Sequence, residues 1–224
     1  MIIGFVGLIG SGKDTAADYL VNFHGFRRDS FAATLKDAVS AVFGWDRLML
    51  EGRTAESRAW REQVDTWWAQ RLNMPHLTPR WILQHWGTDV LRNHFNDDIW
   101  IASLEHKLQR STDNVVISDV RFPNEIKAIR RAGGYIYWIQ RGELPPWYQC
   151  ALTENTTDEY DQWLLQDAHK LMEQSWPQVH NSEWAWVGQS FDAVIDNNNS
   201  VDELYDQLKN LVQDHRVAMA DLAA

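Results

Sequence analysis

The chain has 224 residues, 45% of them hydrophobic and 23% charged, with 21 basic against 31 acidic side chains and a net charge of −10. That is ample apolar material for one α/β domain with an insertion spanning 1–224, since such domains commonly exceed ~200 residues. The acidic balance argues against a broad nucleic-acid surface, the single Cys150 fits a reducing cytoplasm without internal disulfides, and no stretch reaches the ~18 apolar residues of a membrane span.

Ile2 to Val6 is apolar and rich in β-branched residues, which predicts a buried parallel strand. It runs into Gly12-Lys13 without a basic leader or a small-residue cleavage site, so it does not read as a signal peptide. A glycine-rich loop follows, then a helix from Lys13 to Asn22 with Ala16, Ala17, Leu20 and Val21 on one face. Ser30 to Phe43 reads as a strand end and a second helix, stopped by Gly44. Helical spacing recurs over Thr54–Leu72, Pro79–Phe95 and Asp97–Leu108, which makes 44–112 a helical region. Val115–Ser118, Tyr135–Ile139 and Phe191–Ile195 are the remaining strands, with a helix over Pro123–Arg131 ended by Gly133-Gly134. Ser200-Val201-Asp202-Glu203 forms a capping box for a last helix through Leu211, and 217–224 reads as a flexible tail. Strands alternating with helices and no hairpin signal predict a three-layer α/β fold, a parallel sheet of about five strands flanked by helices. Residues 142–183 interrupt it with Pro145-Pro146 and Trp147, Trp163 and Trp176, and read as a helical lid insertion. Most of the thirteen Trp are expected in the core, where each supplies large buried area.

Gly7-Leu8-Ile9-Gly10-Ser11-Gly12-Lys13-Asp14-Thr15 carries the strongest chemical signal. Four residues separate Gly7 from the Gly12-Lys13 pair, the spacing of a phosphate-binding loop. Glycines let consecutive amides converge on phosphate oxygens, and the helix that follows adds partial positive charge. Lys13 supplies a point charge for the β- and γ-phosphates. Asp14 departs from the usual Ser/Thr that holds Mg²⁺. A carboxylate beside phosphates needs a cation between them, so Asp14 is expected to face Mg²⁺ or the incoming nucleophile, with Thr15 on a phosphate or the metal. Gly10, Ser11 and Gly12 complete the expected ATP cradle.

Val115-Val116-Ile117-Ser118-Asp119-Val120-Arg121 puts an acid at the carboxyl end of a strand, where ligands of open α/β sheets sit. Asp119 could hold metal-bound water, orient an acceptor phosphate, or cap the Pro123 helix. Arg121 could neutralise charge on transferring oxygens. Arg80, Gln84, Gly87 and Thr88 fall three and four residues apart on one helix, and Gly87 inside it suggests a close backbone approach. The eight His show no metal-ligand spacing.

These residues together resemble the phage-type deoxynucleoside monophosphate kinases of the P-loop NMP kinase superfamily. The resemblance runs through Ser11-Gly12-Lys13-Asp14-Thr15, Phe31-Ala32 with Leu35-Lys36-Asp37-Ala38, and Leu83-Gln84 with Gly87-Thr88-Asp89 and Trp100. It continues in Asp119-Val120-Arg121 with Asn124-Glu125, His180-Asn181-Ser182-Glu183, Val194-Ile195-Asp196-Asn197 and Glu203-Leu204. It covers most of 1–141 and 180–212, and five pieces in order are specific where one is weak. The segment from Gly142 to Val179 matches poorly.

The resemblance implies transfer of the γ-phosphate of ATP to a deoxynucleoside 5′-monophosphate with Mg²⁺, for DNA precursor synthesis. It implies Lys13, Asp14, Asp119 and Arg121 as catalytic residues and Arg141 closing over the triphosphate. It implies an acceptor set of Lys36, Arg80, Gln84, Gly87, Thr88, Asp89, Arg92, Trp100, Asp119, Arg121 and Glu125. Read bottom-up, Arg92 also fits a solvated helix charge and Trp100 a core residue. The resemblance further implies small-molecule substrates, a homodimer, and the cytoplasm of a host cell if phage-encoded. A kinase for another acceptor (a dephospho-coenzyme A type or a modified base), a non-catalytic nucleotide-binding module and an NTPase switch are the competing readings.

Overall fold

Strand β1 (Ile2–Val6) buries Ile3 to Val6 completely on both faces, so it occupies the middle of the sheet. Its neighbours are β3 (Asn114–Ile117) and β4 (Tyr135–Gln140), with β2 (Phe26–Asp29) and β5 (Ala193–Asp196) at the edges. The order is β2-β3-β1-β4-β5 and every pairing is parallel. Ile3 lies opposite Val116 on one side and Tyr135 on the other, which brings the carboxyl ends of β1, β3 and β4 to one edge. This computed structural model describes residues 1–156 and 161–223.

The alternation of β1 sets the layers. Ile3 and Phe5 pack with Ala16, Ala17 and Leu20 of α1 (Lys13–His24) and with Leu204, Leu208 and Val212 of α12 (Val201–Ala223). Gly4 points to the other face, where a Cβ would come within 2.7 Å of Ile129 on α9 (Pro123–Arg131). Each fully buried Leu or Ile here contributes about 1.5–3 kcal/mol. The expected three-layer α/β class is therefore what forms. Two ends differ from expectation. β2 stops at Asp29 instead of continuing past Ser30, and α12 runs on to Ala223 through the segment read as a tail. Residue 224 lies outside the described residues. Ser200 Oγ accepts from Glu203 N at 3.2 Å, the expected cap. No helix among the described residues is long and apolar enough to cross a membrane.

The chain divides into two compact units, Met1–Ser30 with Ser111–Ala224, and Phe31–Arg110. The second takes in α2 and so begins earlier than the helical region expected at 44–112. It contains α2 (Ala33–Phe43), α3 (Arg47–Glu51), α4 (Ala55–Arg61), α5 (Thr66–Leu72), α6 (Pro79–Gln84), a π-helical turn (His85–Val90), α7 (Leu91–His94) and α8 (Ile99–Gln109). The long helix expected over 54–72 breaks because Asp65 caps α5, accepting from Trp68 N at 3.1 Å, and also accepts from Trp45 Nε1 at 2.8 Å. Tryptophan builds this core as expected. Trp45 stacks on Phe43 at 4.4 Å between centroids, and Trp68 and Trp86 close around the same ring.

The insertion at 142–183 is helical, with α10 (Tyr148–Thr156) and α11 (Gln162–Ser175), followed by a 3₁₀ turn at Asn181–Glu183. Residues 157–160 within it, and the side chain of Trp163, lie outside the described residues. Its first helix is tied to the sheet. Tyr148 stacks near Trp138 of β4 at 6.0 Å, Trp186 and Phe191 complete the cluster, and Asn155 Nδ2 donates to the carbonyls of Trp184 and Val187 at 2.9 Å each.

Candidate active site

The loop after β1 is shaped by three glycines in the left-handed half of backbone space. Gly7, Gly10 and Gly12 have φ of +144°, +76° and +101°, values an L side chain would strain to adopt. Space adds a second constraint. A Cβ on Gly7 would lie 2.5 Å from the carbonyl oxygen of Ile139 in β4, and one on Gly12 would lie 2.4 Å from Asn197 Nδ2. Asn197, just beyond β5, is buried and donates from Nδ2 to Ser11 O at 2.8 Å, while its own amide bonds Gln140 O at 2.8 Å. It therefore braces the loop from the ends of β4 and β5. Sequence reading placed Asn197 in the closing segment of the resemblance, which was the available signal, and missed this brace.

Lys13 folds over the loop, donating from Nζ to Gly7 O and Leu8 O at 2.7 Å each. Its pKa is lowered to about 8, by burial first and by the charge of Arg121 second, with Glu183 and Asp14 opposing the shift. Ser11 Oγ is buried at the loop without a hydrogen-bond partner among the described residues. Glycine cradle, convergent lysine, helix N-terminus and an orphaned buried hydroxyl are a donor set that fits a polyphosphate.

Asp14 lies in the first turn of α1 with its side chain 82% exposed, and its partner is a residue not anticipated from sequence. Arg28 of β2, only 15% exposed, pairs with Asp14 and with Asp18 Oδ1 at 2.7 Å. Its Nη2 also donates to Ser118 Oγ at 2.5 Å, and Ser118 Oγ donates to Asp14 Oδ1 at 3.1 Å. The cation beside this carboxylate is thus an arginine from β2. Arg28 sits two residues before Ser30, in a stretch the hydrophobic pattern left without an element, because β2 is short and three of its four residues are charged. Thr15 is exposed on the first turn of α1. Among the described residues, no group of three or more His, Cys, Asp or Glu could hold a metal on its own.

Asp119 lies half-buried two residues beyond β3. Arg121 donates from Nη1 to Ser182 Oγ at 3.3 Å and pairs with Glu183 of the 3₁₀ turn. Glu125 is 4% exposed and its Oε2 accepts from the amides of Arg121 at 2.8 Å and Phe122 at 3.2 Å. Its carboxylate reaches back from the first turn of α9 to the amide of the N-cap residue Phe122, so it helps cap the helix, a role open to Asp119 in the sequence reading. Arg141 is exposed immediately after β4.

The acceptor candidates fall in the Phe31–Arg110 unit, apart from Asp119, Arg121 and Glu125. Lys36 Nζ donates to Glu51 Oε2 at 2.7 Å, and Arg47 pairs with the other oxygen of the same carboxylate. Glu51 is on α3, an element not expected from sequence, and it offsets the positive charge foreseen at Lys36. Arg80 and Gln84 are exposed on α6. The expected single α-helical register ends there, because His85–Val90 winds as a π-helical turn. Such turns free a carbonyl from its usual i+4 partner, and Gly87 O accepts from Trp100 Nε1 at 2.9 Å. A Cβ on Gly87 would meet Leu35 Cδ2 at 2.8 Å, so the close approach expected of this glycine is to α2. Trp100 is 6% exposed and belongs to the core; its reach is to Gly87, and the pocket role expected of it would be indirect. Thr88 and Asp89 are exposed, with Asp89 Oδ2 2.9 Å from His85 Nδ1. Arg92 is half-buried on α7.

A family model described as deoxynucleotide monophosphate kinase matches residues 60–156. A protein of Acanthamoeba polyphaga mimivirus that carries the name deoxynucleotide monophosphate kinase is 30% identical over 227 residues, covering 95% of this chain and 96% of the relative. The deoxynucleoside-5′-monophosphate kinase of Escherichia phage T5 is 27% identical over 179 residues, 58% of this chain and 72% of the relative. Among solved structures, a dephospho-CoA kinase from Campylobacter jejuni aligns over 95% of this chain and 96% of its own at 14% identity, with a TM-score of 0.40.

Proposed function

Because the chain belongs to the deoxynucleotide monophosphate kinase family, we propose that it moves the γ-phosphoryl group of ATP onto the 5′-phosphate of a deoxynucleoside monophosphate. An oxygen of the acceptor phosphate forms the new bond to phosphorus, the bond to the β–γ bridging oxygen breaks, and ADP and a deoxynucleoside diphosphate leave. The observation that carries this reading is the loop itself. Gly7, Gly10 and Gly12 are held open by conformation and contact, and Lys13 lies across them. Phosphoryl transfer asks the protein mainly for positioning and for positive charge around the transferring oxygens. The loop amides and Lys13 hold the β- and γ-phosphates, the buried Ser11 hydroxyl joins them, and Arg121 adds charge to the transferring group. Arg141 is placed in sequence to cover the triphosphate from beyond β4.

Mg²⁺ bound with ATP would supply Lewis-acid charge, and Asp14 and Thr15 are the oxygens of this chain that would hold it, one or two being the usual protein share. Arg28 fixes the Asp14 carboxylate and lowers the repulsion it would exert on phosphate. On the acceptor side, Arg80 and Arg92 take the monophosphate, with Lys36 contributing less because Glu51 neutralises it. Gln84, Thr88 and Asp89 offer hydrogen bonds to sugar or base, and Asp119 orients the acceptor phosphate. Production of nucleoside diphosphates for DNA synthesis follows from this chemistry. Phosphotransfer from ATP should be assayed over the four dNMPs, the NMPs and base-modified dNMPs. Diphosphate formed from at least one dNMP is expected; no product from any of them would sink the reading.

A further inference from the structure

Arg121 is held by a residue that neither the loop nor the acceptor set explains. Its guanidinium pairs with Glu183 and lies 3.3 Å from Ser182 Oγ. Both partners belong to the 3₁₀ turn that closes the insertion. That turn is rigidly built. His180 Nδ1 accepts from Ser182 N at 3.2 Å, and Glu183 N bonds His180 O at 2.9 Å. Glu183 O accepts from Trp186 Nε1 at 2.8 Å, and Trp186 is 1% exposed against Trp138 of β4. The backbone of Glu183 is therefore held beside the same strand that, at Ile139, closes over Gly7.

We propose that Glu183 is a positioning residue for Arg121: it fixes the guanidinium at the phosphate loop and ties its orientation to the turn that ends the insertion. This rests on the kinase reading for the role of Arg121. A flexible exposed arginine loses orientational freedom when it must contact a transferring phosphoryl group, and a fixed carboxylate meets that cost in advance. The same carboxylate subtracts charge from a site that binds a polyanion. Glu183 therefore trades ATP affinity for turnover, and the two effects separate in kinetics.

The experiment compares the full chain with Glu183→Gln, Glu183→Asp, Arg121→Lys and the Glu183→Gln/Arg121→Lys double variant. ATP affinity is read by calorimetry, which needs no acceptor, and kcat and KM are read with the best dNMP. Glu183→Gln is expected to bind ATP roughly three- to ten-fold more tightly, since it removes a negative charge beside the phosphates. Its kcat should fall by roughly ten-fold or more, as a misplaced group costs. Glu183→Asp, which keeps the charge on a shorter arm, should recover part of kcat. In the Arg121→Lys background the Glu183→Gln change should have little further effect on kcat. Additive effects in the double variant would overturn the proposal, as would unchanged ATP affinity in Glu183→Gln. If the wild-type chain phosphorylates no dNMP, the kinase reading fails alone, because the calorimetric comparison still decides whether Glu183 opposes nucleotide binding.

Discussion

The phosphate loop and the helical unit from Phe31 to Arg110 handle charge in opposite ways. In the loop the polar groups are backbone, held in place by glycine conformations, by Asn197 and by the carbonyls that Lys13 spans. In the helical unit they are side chains that meet one another. Lys36 and Arg47 share Glu51, and His85 meets Asp89. A backbone site has few ways to vary, because a Cβ in the wrong place closes it. A side-chain site can be retuned one residue at a time.

The largest effects should come from breaking the backbone half. Gly12→Ala combines a strained φ with a contact of 2.4 Å to Asn197, and is expected to lower kcat/KM for ATP by roughly a thousand-fold, on the scale of losing preorganised donors. Folding should survive, with circular dichroism unchanged. Asn197→Ala leaves the glycines intact but removes the brace on Ser11 O. A fall of roughly ten- to a hundred-fold is expected, from a loop misplaced by a fraction of an ångström. If Asn197→Ala matched wild type, the loop would be self-supporting and the contrast between the two regions would weaken.

The lysine gives the comparison a pH axis. Lys13 is buried enough that its pKa falls to about 8. It binds phosphate as the cation, so kcat/KM for ATP should drop about ten-fold per pH unit above about 8. The sign for stability is opposite. Between the depressed folded value and the ordinary lysine value the unfolded chain binds more protons, so this group favours the fold as pH rises. Loss of activity above pH 8 with a thermal midpoint that this group holds or raises is the expected pattern; parallel loss of both would point to unfolding.

The two regions were also unequally legible in sequence. The loop, four of the five parallel strands and α9 follow from local signals, glycine spacing and apolar β-branched runs that state their own geometry; β2 does not. Partners that arrive from distant segments do not. Arg28 reaches Asp14 only because β2 pairs beside β3, and Asn197 reaches Ser11 only because β5 ends beside β4. Glu125 is placed with the acceptor residues by the resemblance alone; its bond to the amide of Phe122 at the start of α9 was not foreseen. In the helical unit, α3 was invisible because five residues are too few for periodicity to register. Its absence hid Glu51, and with it the neutralisation of Lys36.

Gly87 tests the helical unit by shape. Alanine there would press on Leu35 Cδ2 at 2.8 Å beside the carbonyl that Trp100 uses. Overpacking of this kind costs about 1–3 kcal/mol, and urea unfolding of Gly87→Ala should show a lower midpoint with ATP affinity kept. A loss of ATP affinity as large as that of dNMP affinity would contradict the division of labour.

The smallest expected effect probes charge alone. Glu51→Gln keeps the volume of the side chain but removes its charge and one of its two acceptors, which frees Lys36 and Arg47 from the carboxylate they share. Two cations with no common anion repel each other, so a modest loss of stability is expected, within about 1 kcal/mol for partly exposed pairs. The gain is positive charge available to an acceptor phosphate. If Lys36 faces the monophosphate, KM for the dNMP should fall a few-fold while KM for ATP stays fixed, and the fall should shrink as salt screens it. If Lys36 and Glu51 only hold α2 to α3, stability drops and both KM values remain unchanged. The salt dependence separates the two outcomes, because a packing defect is insensitive to it and a Coulombic gain is not.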